Sequence, residues 1–297
     1  LRKLVLLLCL TLLIASPAFA AKRSVTIAYT GWASSTASAN LMRAVLQEKL
    51  GRTCELVATD AQNMWRMVAE GEADAMLSAW LPETQDVYFE QYGSEVENLG
   101  PNLEGTRIGL VVPKVPKGRF TTGTGIKNRI YVPTTSIPEL GKDASKYDNR
   151  IIGIDPGAGV MDKTREALEV YGLKDKMRLV PGSDATMVAE LSRAVSHQRW
   201  IVVTGWKPHW MFARWNLEFL DDPEGVYGQG GHIATMVRKG LQQEDPDVYA
   251  LLNNFYWTPK EMGRLMLWIQ EDRGLFPYDK ALRWMNTHSE RVESWLP

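Results

Sequence analysis

Cysteine is almost missing from this chain: among 297 residues only Cys9 and Cys54 carry a thiol. Cys9 lies in an apolar run from Leu4 to Ile14, which follows Arg2 and Lys3 and leads into the small-residue pattern Ala18-Phe19-Ala20. That arrangement reads as a secretory signal over residues 1–20, cut after Ala20. The run falls short of the roughly 18 apolar residues a spanning helix needs, and Cys9 stands inside it rather than at the cut. Neither a membrane anchor nor a lipid-bearing cysteine is therefore expected. With one thiol left, no intrachain disulfide can form, and stability has to come from one large core or from the cores of two lobes.

An excess of charge is missing too. Lysine and arginine number 34 against 35 aspartates and glutamates, a formal net charge of −1, which argues against a nucleic-acid binder or a polybasic membrane-surface protein. Histidine is scarce: positions 197, 209, 232 and 288 lack the H-x-x-x-H or H-E-x-x-H spacing of a zinc centre. No G-x-S-x-G elbow and no Cys–His arrangement offers a nucleophile. The sequence calls for no cofactor, and export without an anchor points to the periplasm.

What is present is an alternation of periods. KRSVTIAYT (22–30) reads as a strand, Ser38 to Leu50 as a helix closed by Gly51, CELVA (54–58) as a strand, QNMWRMVAEG as a helix, and ADAMLSAW (73–80) as a strand. This β-α-β-α-β order at short spacing predicts an α/β unit with a largely parallel sheet. RIGLVVP (107–113) adds a strand, and the Gly-, Thr- and Lys-rich stretch from 114 to 133 reads as a surface excursion. SIPEL, RIIGID (150–155), PGAGVMDKTREALEVYG, MRLVPG, DATMVAELSRAVSH and WIVVTGW then spell a second α/β unit, and TPKEMGRLMLWIQE opens a helical tail with a Thr258–Glu261 capping box.

Two features point to a site. In GIDPGAGVM (153–161) a strand delivers a glycine-rich turn to a helix, but the spacing fits neither a P-loop nor a dinucleotide fingerprint. What remains is a helix start whose free amides suit an anion such as a carboxylate, with an unliganded tight turn as the plain alternative. The second feature is tryptophan. Trp200, Trp206, Trp210 and Trp215 fall within sixteen positions, and Trp65, Trp200, Trp257, Trp268 and Trp284 sit where core packing is expected. Trp32, Trp80 and Trp206 differ, because each ends a predicted strand, in YTGW, LSAW and VTGW, and strand ends in α/β units face the ligand crevice. Three indoles facing a helix start describe a box for a molecule with a quaternary ammonium at one end, which has no proton to donate and for which aromatic faces are the natural means of holding it, and an acid at the other.

DAMLSAWLPET, GPNLEGTRIGLVVP, IIGIDPGAGVM, VVTGWKPHWMFARWNLEFLDDPEGVYG and WTPKEMG, taken in this order, resemble the glycine betaine and related quaternary-amine substrate-binding proteins of ABC importers. The resemblance implies an α/β, two-lobe periplasmic binding protein of type II-like fold, a monomer with its ligand cleft between the lobes. One lobe is expected over 21–113 and 231–297, the other over 114–230. It further implies that Trp32, Trp80 and Trp206 form the cation prism, that the amides of Gly159 and Val160 hold the carboxylate, and that the partners are an ABC permease and its ATPase. Relatives place a carboxylate-binding histidine five residues after the WLP tryptophan; here that residue is Gln85, which can donate a hydrogen bond but carries no charge. His209, between Trp206 and Trp210, reads as structural or as a cleft hydrogen bonder. The rival readings are an exported enzyme acting on quaternary amines and the ligand-binding subunit of a sensor.

Overall fold

A computed structural model describes residues 23–82, 84–114 and 132–297. The expected signal segment and most of the 114–133 excursion lie outside the described residues. Among the described residues, nine strands occupy Val25–Thr30 (β1), Cys54–Thr59 (β2), Ala75–Leu81 (β3), Val96–Pro113 (β4), Arg150–Ile152 (β5), Arg178–Val180 (β6), Val203–Lys207 (β7), Leu217–Phe219 (β8) and Gly231–Arg238 (β9). The helices are Ala33–Leu50 (α1), Ala61–Ala69 (α2), Asp86–Tyr92 (α3), Gly159–Val170 (α4), Asp184–Ser196 (α5), Met211–Arg214 (α6), Leu241–Glu244 (α7), Pro246–Asn254 (α8), Pro259–Glu271 (α9), Pro277–Thr287 (α10) and Ser289–Glu293 (α11).

The strands form two half-sheets that share β4. The first runs β2-β1-β3-β9-β4, and the second places β4 between β8 and β7, followed by β5 and β6. Pairing is parallel within β2-β1-β3 and β6-β5-β7, where each return passes through a helix, and antiparallel wherever β4 or β9 takes part. The largely parallel sheet expected from the alternation is thus mixed, because the chain comes back as single long strands as well as by crossovers. β4 pairs with β9 up to Thr106 and with β7 from Arg107 onward. The partner change falls inside the strand, and backbone bonding continues straight through it. The return crossing lies beside it: Gly230 adopts φ 100°, and Gly231 donates to Thr106 Oγ1 at 3.1 Å.

Two elements are longer than their periodicity predicts. β4 begins at Val96, since Gly100 and Gly105, at φ 89° and 80°, absorb the register shifts in GPNLEG. α1 begins at Ala33, five residues before the expected Ser38, although serine is a modest helix former. Two of its hydroxyls are engaged: Ser38 Oγ donates to the Ser34 carbonyl at 3.0 Å, and Ser35 Oγ accepts from Thr30 N at 3.0 Å and from Ser78 Oγ at 2.7 Å. Small side chains let this first turn bury closely against β1 and β3. The expected box of α9 is present, with Thr258 accepting from Glu261 N and Glu261 from Thr258 N.

Of the five tryptophans read as core, Trp65, Trp257 and Trp284 are fully buried. The last two pack with Phe255 and Trp295 under the tail helices at ring distances of 4.9 to 6.1 Å. Trp200 and Trp268 are half-buried, each with a cation over its face: Lys146 at 4.6 Å and Arg283 at 4.3 Å respectively. Among the described residues no helix is long and apolar enough to cross a membrane. Cys54 is buried at the start of β2, and that burial pushes its thiol up to about 12. The reactive thiolate is therefore scarce at ordinary pH. In protein expressed from residue 21, Ellman's reagent at pH 8 should modify the folded chain at least about a hundredfold more slowly than the chain unfolded in guanidinium.

Candidate functional site

The carboxyl ends of β1, β3, β5 and β7 converge on one partly open cavity of about 30 Å³. Trp32 and Trp80 enter from the first half-sheet, Trp206 from the second, with Thr84, Ile108, Ile154, Ala158, Gly159 and Val160 completing the wall. All three indoles are at least nine-tenths buried.

Each tryptophan is fixed by its element. Trp32 is the N-cap residue of α1, in extended conformation at φ −71° and ψ 147°, and its Nε1 donates to Asp155 Oδ2 at 3.1 Å. Trp80 lies next to the last position of β3 and pairs with Ile233 of β9. Trp206 pairs with Ile108 of β4, which brings that isoleucine into the wall. Opposite them α4 begins without a side-chain cap at Ala158. Its first amides, those of Gly159 and Val160, belong to the group a helix leaves unbonded, and they carry the positive end of its dipole. A buried chain steadies this turn from behind: Tyr227 OH donates to Thr164 Oγ1 at 2.9 Å, which donates to the Val160 carbonyl at 2.7 Å.

The glycines of GIDPGAGVM divide by cause. A Cβ on Gly153 would stand 2.3 Å from Met161 Sδ, so that position serves packing of α4 on its own strand. A Cβ on Gly159 would stand 2.0 Å from the Thr84 carbonyl oxygen and 2.5 Å from Thr84 Cβ, both belonging to the other half. Gly159 is therefore small so that the two halves can meet. Tyr88 OH makes a further contact between them, donating to the Gly157 carbonyl at 3.1 Å.

Five of the seven residues named from the sequence thus wall the cavity: Trp32, Trp80, Trp206, Gly159 and Val160. Gln85 and His209 stand one layer behind it. Gln85 is fully buried; its Oε1 accepts from Trp65 Nε1 at 2.8 Å and from the Trp80 amide at 3.4 Å, while its backbone N–H donates to the Trp80 carbonyl at 3.1 Å. It braces the turn that carries Trp80. His209 packs edge-on against Trp206, with centroids 4.8 Å apart. Its Nδ1 accepts from the Met211 amide at 3.1 Å, so the proton sits on Nε2, which donates to Asp184 Oδ1 at 3.1 Å. Trp210 and Trp215 stack in turn beyond His209, at 5.6 and 5.8 Å, which accounts for most of the tryptophan cluster as packing behind one wall. Thr84, Ile108, Ile154 and Ala158 were not foreseen as wall residues, although all four lie inside quoted motifs; Ile108 owes its place to its pairing with Trp206.

The family model for the substrate binding domain of ABC-type glycine betaine transport systems matches residues 23–287. The chain belongs to this family. The glycine betaine/carnitine transport binding protein GbuC of Listeria monocytogenes serotype 1/2a (strain 10403S) is 42% identical over 165 residues, so that the match spans about half of each chain, 54%. Lactococcal OpuAC, in its closed-liganded conformation complexed with glycine betaine, superposes with a TM-score of 0.82 at 39% identity, covering 93% of this chain and 100% of that one. The glycine/betaine/L-proline-binding protein ProX of Borrelia burgdorferi gives 0.83 at 35% identity, covering 93% and 97%. The architecture is that of the two-lobe periplasmic binding proteins, with the ligand cleft between lobes.

Gly159→Ala tests the close approach. Overpacking of about 1–3 kcal/mol on the closed form alone should weaken ligand binding roughly five- to a hundredfold. The ligand-free protein, in which the halves need not touch, should keep its melting temperature. Calorimetric titration and thermal unfolding of the same sample read the two effects.

Proposed function

We propose that this chain is the binding protein of an ABC importer and that it captures a compact zwitterion with a quaternary ammonium group, glycine betaine foremost, in the cavity between the half-sheets. The observation that carries this reading is the pairing, in one cavity, of three buried indoles with an uncapped helix start opposite. A quaternary ammonium has charge but no proton to donate, so it gains from aromatic faces what it cannot gain from hydrogen bonds. Trp32, Trp80 and Trp206 box the cation, the Gly159 and Val160 amides receive the carboxylate, and Gln85 and His209 act by bracing Trp80 and Trp206. Three cation–π contacts at ~0.5–2 kcal/mol each and charge-assisted hydrogen bonds at about 1.5–3 kcal/mol each leave, after association costs, roughly micromolar affinity.

The lobes are assigned to 21–113 with 231–297 and to 114–230, their strands joined through β4. In this reading the protein is a monomer without a cofactor, and it makes or breaks no bond. Binding proteins of ABC importers work outside the cytoplasmic membrane, and a signal peptide cut after Ala20 would release this one into the periplasm, to hand its ligand to a permease driven by an ATPase. Among the ligands named for the relatives, glycine betaine and carnitine both unite a quaternary ammonium with an acid and favour the same chemistry, and L-proline shares the acid.

Calorimetric titration with glycine betaine and choline, side by side at neutral pH, tests the reading. Glycine betaine should bind in the micromolar range and choline, which lacks the carboxylate, more weakly. Trp206→Ala should cost at least about thirtyfold, the ~2 kcal/mol of a buried aromatic hot spot. A preference for choline would overturn the role given to α4, and binding of neither would overturn the reading.

A further inference from the structure

Two carboxylates of the second half reach across the rim of the cavity and hold the first half at adjacent positions. Asp155, in the turn before α4, accepts from the Trp32 indole at 3.1 Å, and Asp184, the first residue of α5, accepts from the Ala33 amide at 2.8 Å through Oδ2. Asp184 is buried, and its other oxygen is already engaged by the Nε2 proton of His209. His209 in turn packs against Trp206. One carboxylate therefore joins the residue that follows one wall of the cavity to the ring that supports the opposite wall.

The physical setting favours such a bond. α1 has no side-chain cap of its own, so its first amide, Ala33 N–H, finds its acceptor in the opposite half. Asp184 lies at the start of α5 and against the start of α1, and both helix ends favour negative charge. With Trp32, Trp80 and Trp206 all buried, a ligand enters or leaves only when the halves part. Parting breaks the Ala33–Asp184 bond and leaves the His209 bond intact, since His209 and Asp184 belong to the same half.

We propose that Asp184 is a positioning residue for binding: by closing onto the α1 amide it locks Trp32 and Trp206 into one box and so sets how slowly ligand leaves. The inference rests on the function proposed above. A contact made only after closure acts on release and leaves encounter nearly unchanged.

The bond can be removed from either side. Asp184→Asn offers one acceptor and one N–H₂ to two N–H donors, so one of them goes unmet. Ala33→Pro deletes the donor from the other half. Proline is tolerated at the first position of a helix, and Trp32 already has the extended conformation required before proline. Stopped-flow tryptophan fluorescence with glycine betaine should show release about ten- to a hundredfold faster in each variant, with the association rate within about threefold. The double variant should be no worse than the weaker single, because both remove the same bond. Ligand-free melting temperatures should match the wild type. Unchanged release, additive effects, or a loss of stability equal with and without ligand would each overturn the positioning role. A wild type that fails to bind glycine betaine would instead overturn the functional reading, and this inference with it.

Discussion

The two half-sheets meet at a spacing set by one missing methyl group. At Gly159 a side chain of any size would run into the Thr84 backbone of the other half, and only with that hydrogen in place do the strand ends draw near enough for three indoles to share a cavity. The other contacts between the halves, Tyr88 to Gly157, Trp32 to Asp155 and Ala33 to Asp184, span 2.8 to 3.1 Å and tolerate little widening. Steric contact and hydrogen bonding thus agree on one closed geometry, and the aromatic box is a by-product of that agreement.

Much of this was legible in the sequence because strand ends announce themselves. Trp32, Trp80 and Trp206 each stand where a run of alternating or apolar residues stops, and Gly159 stands where a strand passes through a tight turn into a helix. Such signals are local. What they leave out is any contact whose two members lie far apart along the chain, and every bond between the halves is of that kind. Asp184 reads from sequence as an ordinary acidic residue in the first turn of a helix; its acceptor role toward Ala33 exists only once two separately folded units face each other.

Gln85 and His209 show the same limit from the other direction. Their positions, near Trp80 and Trp206, bring them close to the cavity, and proximity alone makes a polar side chain look like a ligand contact. Each answers a need behind the wall. The buried Trp65 indole requires an acceptor, and Gln85 Oε1 supplies it. The Met211 amide fixes the His209 ring so that it packs on Trp206 with its proton directed at Asp184. The serine-rich start of α1 was missed for a related reason: helix propensity is judged on exposed peptides, whereas here the turn is buried and Ser35 is tied to β1 and β3 through Thr30 and Ser78.

The two crossings between the halves run side by side, one within β4 at Thr106 and Arg107, the other at Gly230 and Gly231, stitched by the bond from Gly231 to Thr106. A pair of bonded strands bends across its face far more readily than it stretches or slips lengthwise. The halves are consequently free to swing like the covers of a book about a short spine and are stiff against sliding or twisting apart. A solute must then come and go through the edge opposite that spine, and it meets the tryptophan box always from the same side.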